Sequence, residues 1–197
     1  GEVASRMVVA AGHDMANEGA PMDTAALKSA VLRANAQVLS AAAGNSLYEG
    51  MGSTATVLHI DESAGMAYYA HVGDSRLYLL RRGVFRQVSR DHSYVEELVA
   101  RGELSEEEAQ HHPRKNLLLR AVGIEEHLHV DGDSFPLETG DRLLLATDGL
   151  TNMVDDDALA ALLGGEFSDV AKRMAERALA GGGSDNITAI AIAYEMP

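Results

Sequence analysis

Three aspartates sit where apolar stretches give out into small residues: Asp74 in His71-Val72-Gly73-Asp74-Ser75-Arg76, Asp148 in Ala146-Thr147-Asp148-Gly149-Leu150, and Asp185 in Gly181-Gly182-Gly183-Ser184-Asp185-Asn186. If those stretches are neighbouring strands of one sheet, their ends lie side by side and the three carboxylates converge at one rim. Like charges placed that way repel unless a divalent cation offsets them. Oxygen-only ligands favour Mg2+ or Mn2+, hard ions that keep several waters, and a water so held is a hydrolytic nucleophile. Gly-Asp, Asp-Gly and Ser-Asp-Asn are each common turn formers. The set of three, and no single member, therefore carries the expectation of a metal site.

Composition narrows the alternatives. The 197 residues include no Cys, which excludes disulfides, thiolate metal sites and a cysteine nucleophile. Thirty Asp and Glu face 16 Lys and Arg, a formal charge of -14. Such a field repels phosphate backbones and anionic lipid, so neither nucleic acid nor a membrane is expected as partner. No window approaches eighteen consecutive apolar residues, and the first residues lack the basic and apolar regions of a signal peptide, which reads as cytoplasmic. Ser53, Ser75 and Ser184 have no nucleophile-elbow sequence around them, and no Lys-Ser/Thr follows the glycines at 181 to 183, which read as a turn. His13-Asp14 reads as a solvated or capping pair. His92, after Asp91 at a helix entrance, reads as a capping or packing residue rather than a general acid. His111-His112 with Arg114 and Lys115 is the one local basic cluster, open to two readings: loop chemistry around Pro113, or a contact to phosphate.

The elements that must hold these groups follow from hydrophobic periodicity. Val3, Met7, Ala11 and Met15 recur every four residues, and Leu27, Val31, Ala34, Val38 and Ala42 recur every three or four after the Gly19-Ala20-Pro21 break, so two helices are expected, the second capped by Asp23 or Thr24 and stopped at Gly44. From Gly52 the period becomes two. Strands are expected at 54–60, 66–72, 77–80 and 84–88, joined as antiparallel hairpins. Two short helices lie between 93 and 110, broken at Gly102, the second opened by a capping box of Ser105 and Glu108. An apolar run spans 117–122. A buried strand at 142–147, helices at 155–163 and 168–180, and a last strand at 187–194 complete an α+β layered fold in a single domain, residues 1–197.

In order and spacing these motifs resemble the metal-dependent serine/threonine protein phosphatases of the PP2C (PPM) family, in their bacterial form. Residues 50–56 resemble the strand that opens its central sheet, 70–83 its VGDSR hairpin, 90–93 with 102–104 and 112–116 its flap segment, 140–150 its GDxxLLxTDGL strand, and 185–188 its terminal DN motif. The resemblance implies a PP2C-like β-sandwich flanked by helix pairs in αββα layers, a binuclear Mn2+ or Mg2+ centre, and hydrolysis of phosphate esters in phosphorylated proteins by a metal-activated water. Asp148 and Asp185 match metal ligands, Asp74 matches a residue associated with a third, weaker metal, and His92, His112 and Arg114 fall in the substrate-facing flap. The family's DGxGGH segment, with its bridging Asp, precedes the stretch that Gly1-Glu2-Val3-Ala4-Ser5 resembles. The chain is therefore expected to be N-terminally truncated, with reduced activity and with a sheet edge that a homo-oligomer would cover. A regulatory or oligomerisation domain without catalysis, and a promiscuous phosphoesterase, stay open as alternatives.

Overall fold

The computed structural model describes residues 1–17, 19 and 21–195, so Ala20 of the Gly19-Ala20-Pro21 break lies outside the described residues. The chain divides into two compact units. One comprises Gly1–Asp61, Ala67–Asp74 and Asp91–Phe135, the other Glu62–Met66, Ser75–Arg90 and the chain from Pro136 onward.

In the first unit, helices α1 (Glu2–Asn17) and α2 (Thr24–Gly44) pack on strands β1 (Ala55–Asp61) and β2 (Met66–Val72). The sheet has the order β1-β2-β5, where β5 is Ser134–Pro136. Leu27, Val31, Ala34 and Val38 of α2 meet Ala55, Ala70 and Val72 in one apolar cluster. Asp23 caps α2, its carboxylate accepting from the Ala26 N–H, a contact of about 1 kcal/mol. In α1 the buried face is Ala4, Ala11 and Met15, and Val3 is exposed. The expected step of four residues turns about 40° too far per step on a helix of about 3.6 residues per turn, so its first and last members cannot share a face. Two short helices follow, α3 (Tyr94–Ala100), capped by Ser93, and α4 (Glu106–His111), opened by the Ser105–Glu108 capping box. The apolar run at 117–122 forms no strand. Leu118 and Val122 make only isolated antiparallel bridges, to Ser93 and Ser53.

The second unit is built on a four-stranded antiparallel sheet of order β4-β3-β6-β7: β3 Arg76–Arg81, β4 Val84–Gln87, β6 Arg142–Ala146 and β7 Ala189–Ala193. Register runs from Arg142 opposite Ala193 to Ala146 opposite Ala189, which brings the end of β6 beside the start of β7. A single turn, α5 (Asp148–Thr151), follows β6, then α6 (Asp156–Gly164), capped by Asp155, and α7 (Val170–Ala180). Tyr78, Leu80, Leu144 and Ala146 pack against Leu159, Leu163, Val170 and Met174 of α6 and α7. Truncating a buried leucine there, such as Leu159, costs about 2–5 kcal/mol. The architecture is α+β, antiparallel sheets flanked by helices.

Candidate metal and phosphate site

Asp148 and Asp185 belong to the second unit, and the sheet register explains their approach. Thr147 continues the ladder one residue past β6, its N–H donating to the Thr188 carbonyl (3.1 Å). The next residue, Asp148, therefore stands beside the loop that carries Asp185 and Asn186. Gly149 makes the approach possible, because a Cβ at that position would collide with the Asn186 carbonyl oxygen. The Asp185 carboxylate accepts from the Asn186 N–H (2.7 Å). Burial, and next the charge of Asp185, push the Asp148 carboxyl above its ordinary value, while the Gly149 N–H and the Arg76 guanidinium act in the opposite direction. Arg76, which donates to the Tyr78 hydroxyl (3.0 Å), is thus part of this carboxylate's electrostatic surroundings, a role its place in the VGDSR hairpin did not suggest.

Asp74 follows β2 in the first unit, after a glycine gripped from several sides. Gly73 has φ +110°, and a Cβ on it would run into the Thr54 side chain. Its N–H donates to His92 Nδ1 (3.2 Å), its carbonyl accepts from the His92 N–H (2.7 Å), and His71 Nε2 lies 3.1 Å from the same carbonyl. The two imidazoles are in contact, with ring centroids 4.8 Å apart. Because His92 Nδ1 accepts, its proton sits on Nε2 and is donated to Asp131 (3.1 Å), to which Arg120 also donates (3.1 Å). Desolvation lowers the His92 pKa below the histidine norm, outweighing its bond to Asp131. Burial opposes ionisation of Asp131, yet the His92 hydrogen bond and the charges of His92, Arg120 and His129 hold its carboxyl below its ordinary value.

His92 is 6% exposed with both ring nitrogens engaged, so it is corrected from a substrate-facing flap residue to an inward-facing one. His112, the C-cap of α4, accepts from the Arg114 N–H at Nδ1 (3.1 Å) and its ring lies 5.9 Å from that of Tyr94. The Arg114 guanidinium sits 5.8 Å over the same Tyr94 ring, and its side chain is exposed. A basic group held against an aromatic face in an otherwise acidic chain suits an anionic ligand.

Among the described residues no group of three or more His, Asp or Glu side chains is placed to hold a metal ion. Asp148 and Asp185 share the second unit, and Asp74 belongs to the first. The Asp148–Asp185 pair fits a hard divalent cation: both donors are carboxylate oxygens, and the Asp185 charge, which after burial is what raises the Asp148 pKa, is of the kind such an ion offsets. Sequence reading missed Thr147, Arg76, His71, Arg120 and Asp131. Two of these bonds span long stretches of chain, 39 residues between His92 and Asp131 and 41 between Thr147 and Thr188.

Comparison with known proteins identifies the family. A family model described as "Protein phosphatase 2C" matches residues 8–98. The serine/threonine phosphatase Stp of Listeria monocytogenes is 38% identical over 203 residues, an alignment covering 100% of this chain and 80% of the relative. Among solved structures, the Mycobacterium tuberculosis serine/threonine phosphatase PstP/Ppp superposes with a TM-score of 0.90 at 35% identity, covering 98% of this chain and 82% of that one. The catalytic domain of PstP in complex with two manganese ions gives 0.86 at 34% identity, covering 97% and 80%. The chain belongs to the protein phosphatase 2C family.

Proposed function

We infer that the chain is a metal-dependent phosphatase acting on phosphoserine and phosphothreonine in phosphorylated proteins, and on small phosphate esters, with Mn2+ or Mg2+ held by Asp148 and Asp185. The reading rests on the approach of these two carboxylates at the adjoining ends of β6 and β7, where burial, and next the Asp185 charge, leave Asp148 reluctant to ionise. When bound, the cation supplies Lewis acidity for the charge developing on phosphoryl oxygens and lowers the pKa of water. The protein's part is to bind and to orient. Asp148 and Asp185 supply anionic oxygens, and Arg76 moderates their charge. Asp74 is assigned to a further, weaker cation. His112 and Arg114 offer positive charge to the phosphorylated substrate, and His92 supports the Gly73 turn from within. Residues 1–197 are taken as one catalytic domain.

Hydrolysis of a chromogenic aryl phosphate should require added Mn2+ or Mg2+, stop with a chelator and disappear in Asp148→Asn, where shape is kept and ligand charge is lost. Activity surviving that substitution would point to a different site.

Homodimerisation and action in the cytoplasm belong to the same proposal. β1 lies at an edge of its sheet, and α1 exposes Val3 and Val9, an apolar surface and a strand edge that a second copy can cover. Light scattering at micromolar concentration should give twice the chain mass, and a monomer would rule the dimer out. A chain without cysteine suits a reducing compartment. No helix among the described residues is long and apolar enough to cross a membrane.

A further inference from the structure

Thr147 sits at the N-cap position of α5 in an extended conformation (φ -79°, ψ 161°), where a threonine hydroxyl ordinarily accepts from the first turn of its own helix, yet its side chain makes no such bond. The hydroxyl is turned to the neighbouring loop instead. It donates to the Asn186 carbonyl (3.1 Å) and accepts from the Thr188 N–H (2.9 Å), while the Thr147 N–H donates to the Thr188 carbonyl (3.1 Å). These bonds flank both acidic residues at one remove: Thr147 precedes Asp148, and Asn186 follows Asp185. The Asn186 carbonyl is also the atom against which Gly149 is pressed, so one peptide is fixed from two points on the other loop. The Thr147 carbonyl serves α5, accepting from the Leu150 and Thr151 N–H groups, while its hydroxyl serves only the neighbouring loop. Two carboxylates brought side by side repel, so bonds between the chain segments that carry them are needed to keep their spacing.

We propose that Thr147 is a positioning residue whose hydroxyl locks the Asp185–Asn186 loop to the Asp148 turn and so sets the spacing of the two carboxylates for a divalent cation. The proposal rests on the reading of Asp148 and Asp185 as cation ligands. Thr147 touches neither cation nor substrate. Its contribution is that the spacing is in place before the ion arrives, so that the ion's affinity is not spent on drawing two loops together. Valine at this position has nearly the same shape and the same preference for extended backbone, but it leaves the Thr188 N–H and the Asn186 carbonyl without their partner. Serine keeps the hydroxyl.

The test is calorimetric titration of the metal-free chain with MnCl2 alone, without substrate, for the unsubstituted protein, Thr147→Val, Thr147→Ser and Asp148→Asn, with the metal-free melting temperature of each recorded. Removing a residue that orients ligands typically weakens metal affinity about 10- to 100-fold. That loss is expected for Thr147→Val, with Thr147→Ser staying close to the unsubstituted chain even if both melt at slightly lower temperature. Equal weakening in the two variants, or none in Thr147→Val while Asp148→Asn loses binding, overturns the proposal and leaves the site standing. Unchanged affinity in Asp148→Asn, or no Mn2+ binding by the unsubstituted chain, overturns the site itself and the proposal with it. A second measurement does not depend on any variant folding: in the metal-free chain the Thr188 amide should be protected from hydrogen exchange, and exchange at the rate of an open loop overturns the lock.

Discussion

Asp74 and the Asp148–Asp185 pair are both carried on turns that leave a strand, but different chemistry holds each. At Gly73–Asp74 the gripping groups are two imidazoles of low exposure, His71 and His92, with Asp131 and Arg120 behind them. At Asp148–Asp185 they are a hydroxyl, backbone amides and a glycine contact, all uncharged. A clamp that includes the His92 imidazole answers to pH. A clamp of hydroxyl and amide groups does not titrate in the physiological range. The comparison therefore assigns acid sensitivity to the turn that carries Asp74 and places the strain at Asp148–Asp185 in the carboxylates, not in what holds them.

The largest effect that separates the two regions should come from the carboxylates. Asp148→Asn is expected to lower metal-dependent aryl phosphatase activity about 100-fold or more, the equivalent of several kcal/mol of lost charge stabilisation, while Asp74→Asn is expected to cost less because the cation proposed for it is the weaker one. Equal losses in initial-rate measurements would erase the distinction.

Next come the glycines, which test the close approaches directly. Gly73→Ala meets both a left-handed φ and the Thr54 side chain, for which a loss of about 2–4 kcal/mol is expected in urea unfolding. Gly149→Ala meets only the Asn186 carbonyl, so its stability loss should be the smaller, of about 1–3 kcal/mol, and should come with weakened Mn2+ binding. A stability-neutral Gly73→Ala would mean that the imidazole-gripped turn is slack.

A smaller effect sharpens the comparison through pH. The folded-state pKa of His92 lies below the ordinary 6.5, so its contribution to stability is complete above 6.5. As pH drops from there the unfolded chain takes up a proton that the folded chain refuses, and stability is lost until pH passes the depressed value, with a slope of at most about 1.4 kcal/mol per pH unit. Asp131, depressed in the folded chain, adds its own loss only at more acidic pH, as pH falls through its lowered value. Melting temperatures between pH 7.5 and 5 should show the histidine slope, and His92→Asn should flatten it. A slope unchanged in that variant would assign the acid sensitivity to another group.

The sequence carried those parts of the molecule that depend on near neighbours. Asp23 and the Ser105–Glu108 box stand where their spacing put them, because a cap is settled within four residues. Leu27, Val31, Ala34 and Val38 mark the buried face of α2 because the helix period is local too. The face of α1 was misread at Val3 because a step of four residues drifts off the buried face, which is marked mainly by alanines, a weak signal in a hydrophobic pattern. Asp148 and Asp185 were legible as strand-end carboxylates, and their approach follows from the register of β6 with β7. What holds them was not legible. Thr147 reads only as the last residue of the strand at 142–147 until the neighbouring loop is seen, and His92, Arg120 and Asp131 share no period or motif that announces one network.

The most direct test of the central claim is anomalous scattering at the manganese edge from crystals grown with MnCl2. The account requires an anomalous peak within coordination distance, about 2.1–2.2 Å, of a carboxylate oxygen of both Asp148 and Asp185, or one bridging water away. Well-ordered density for the two side chains with no anomalous peak between them would contradict it.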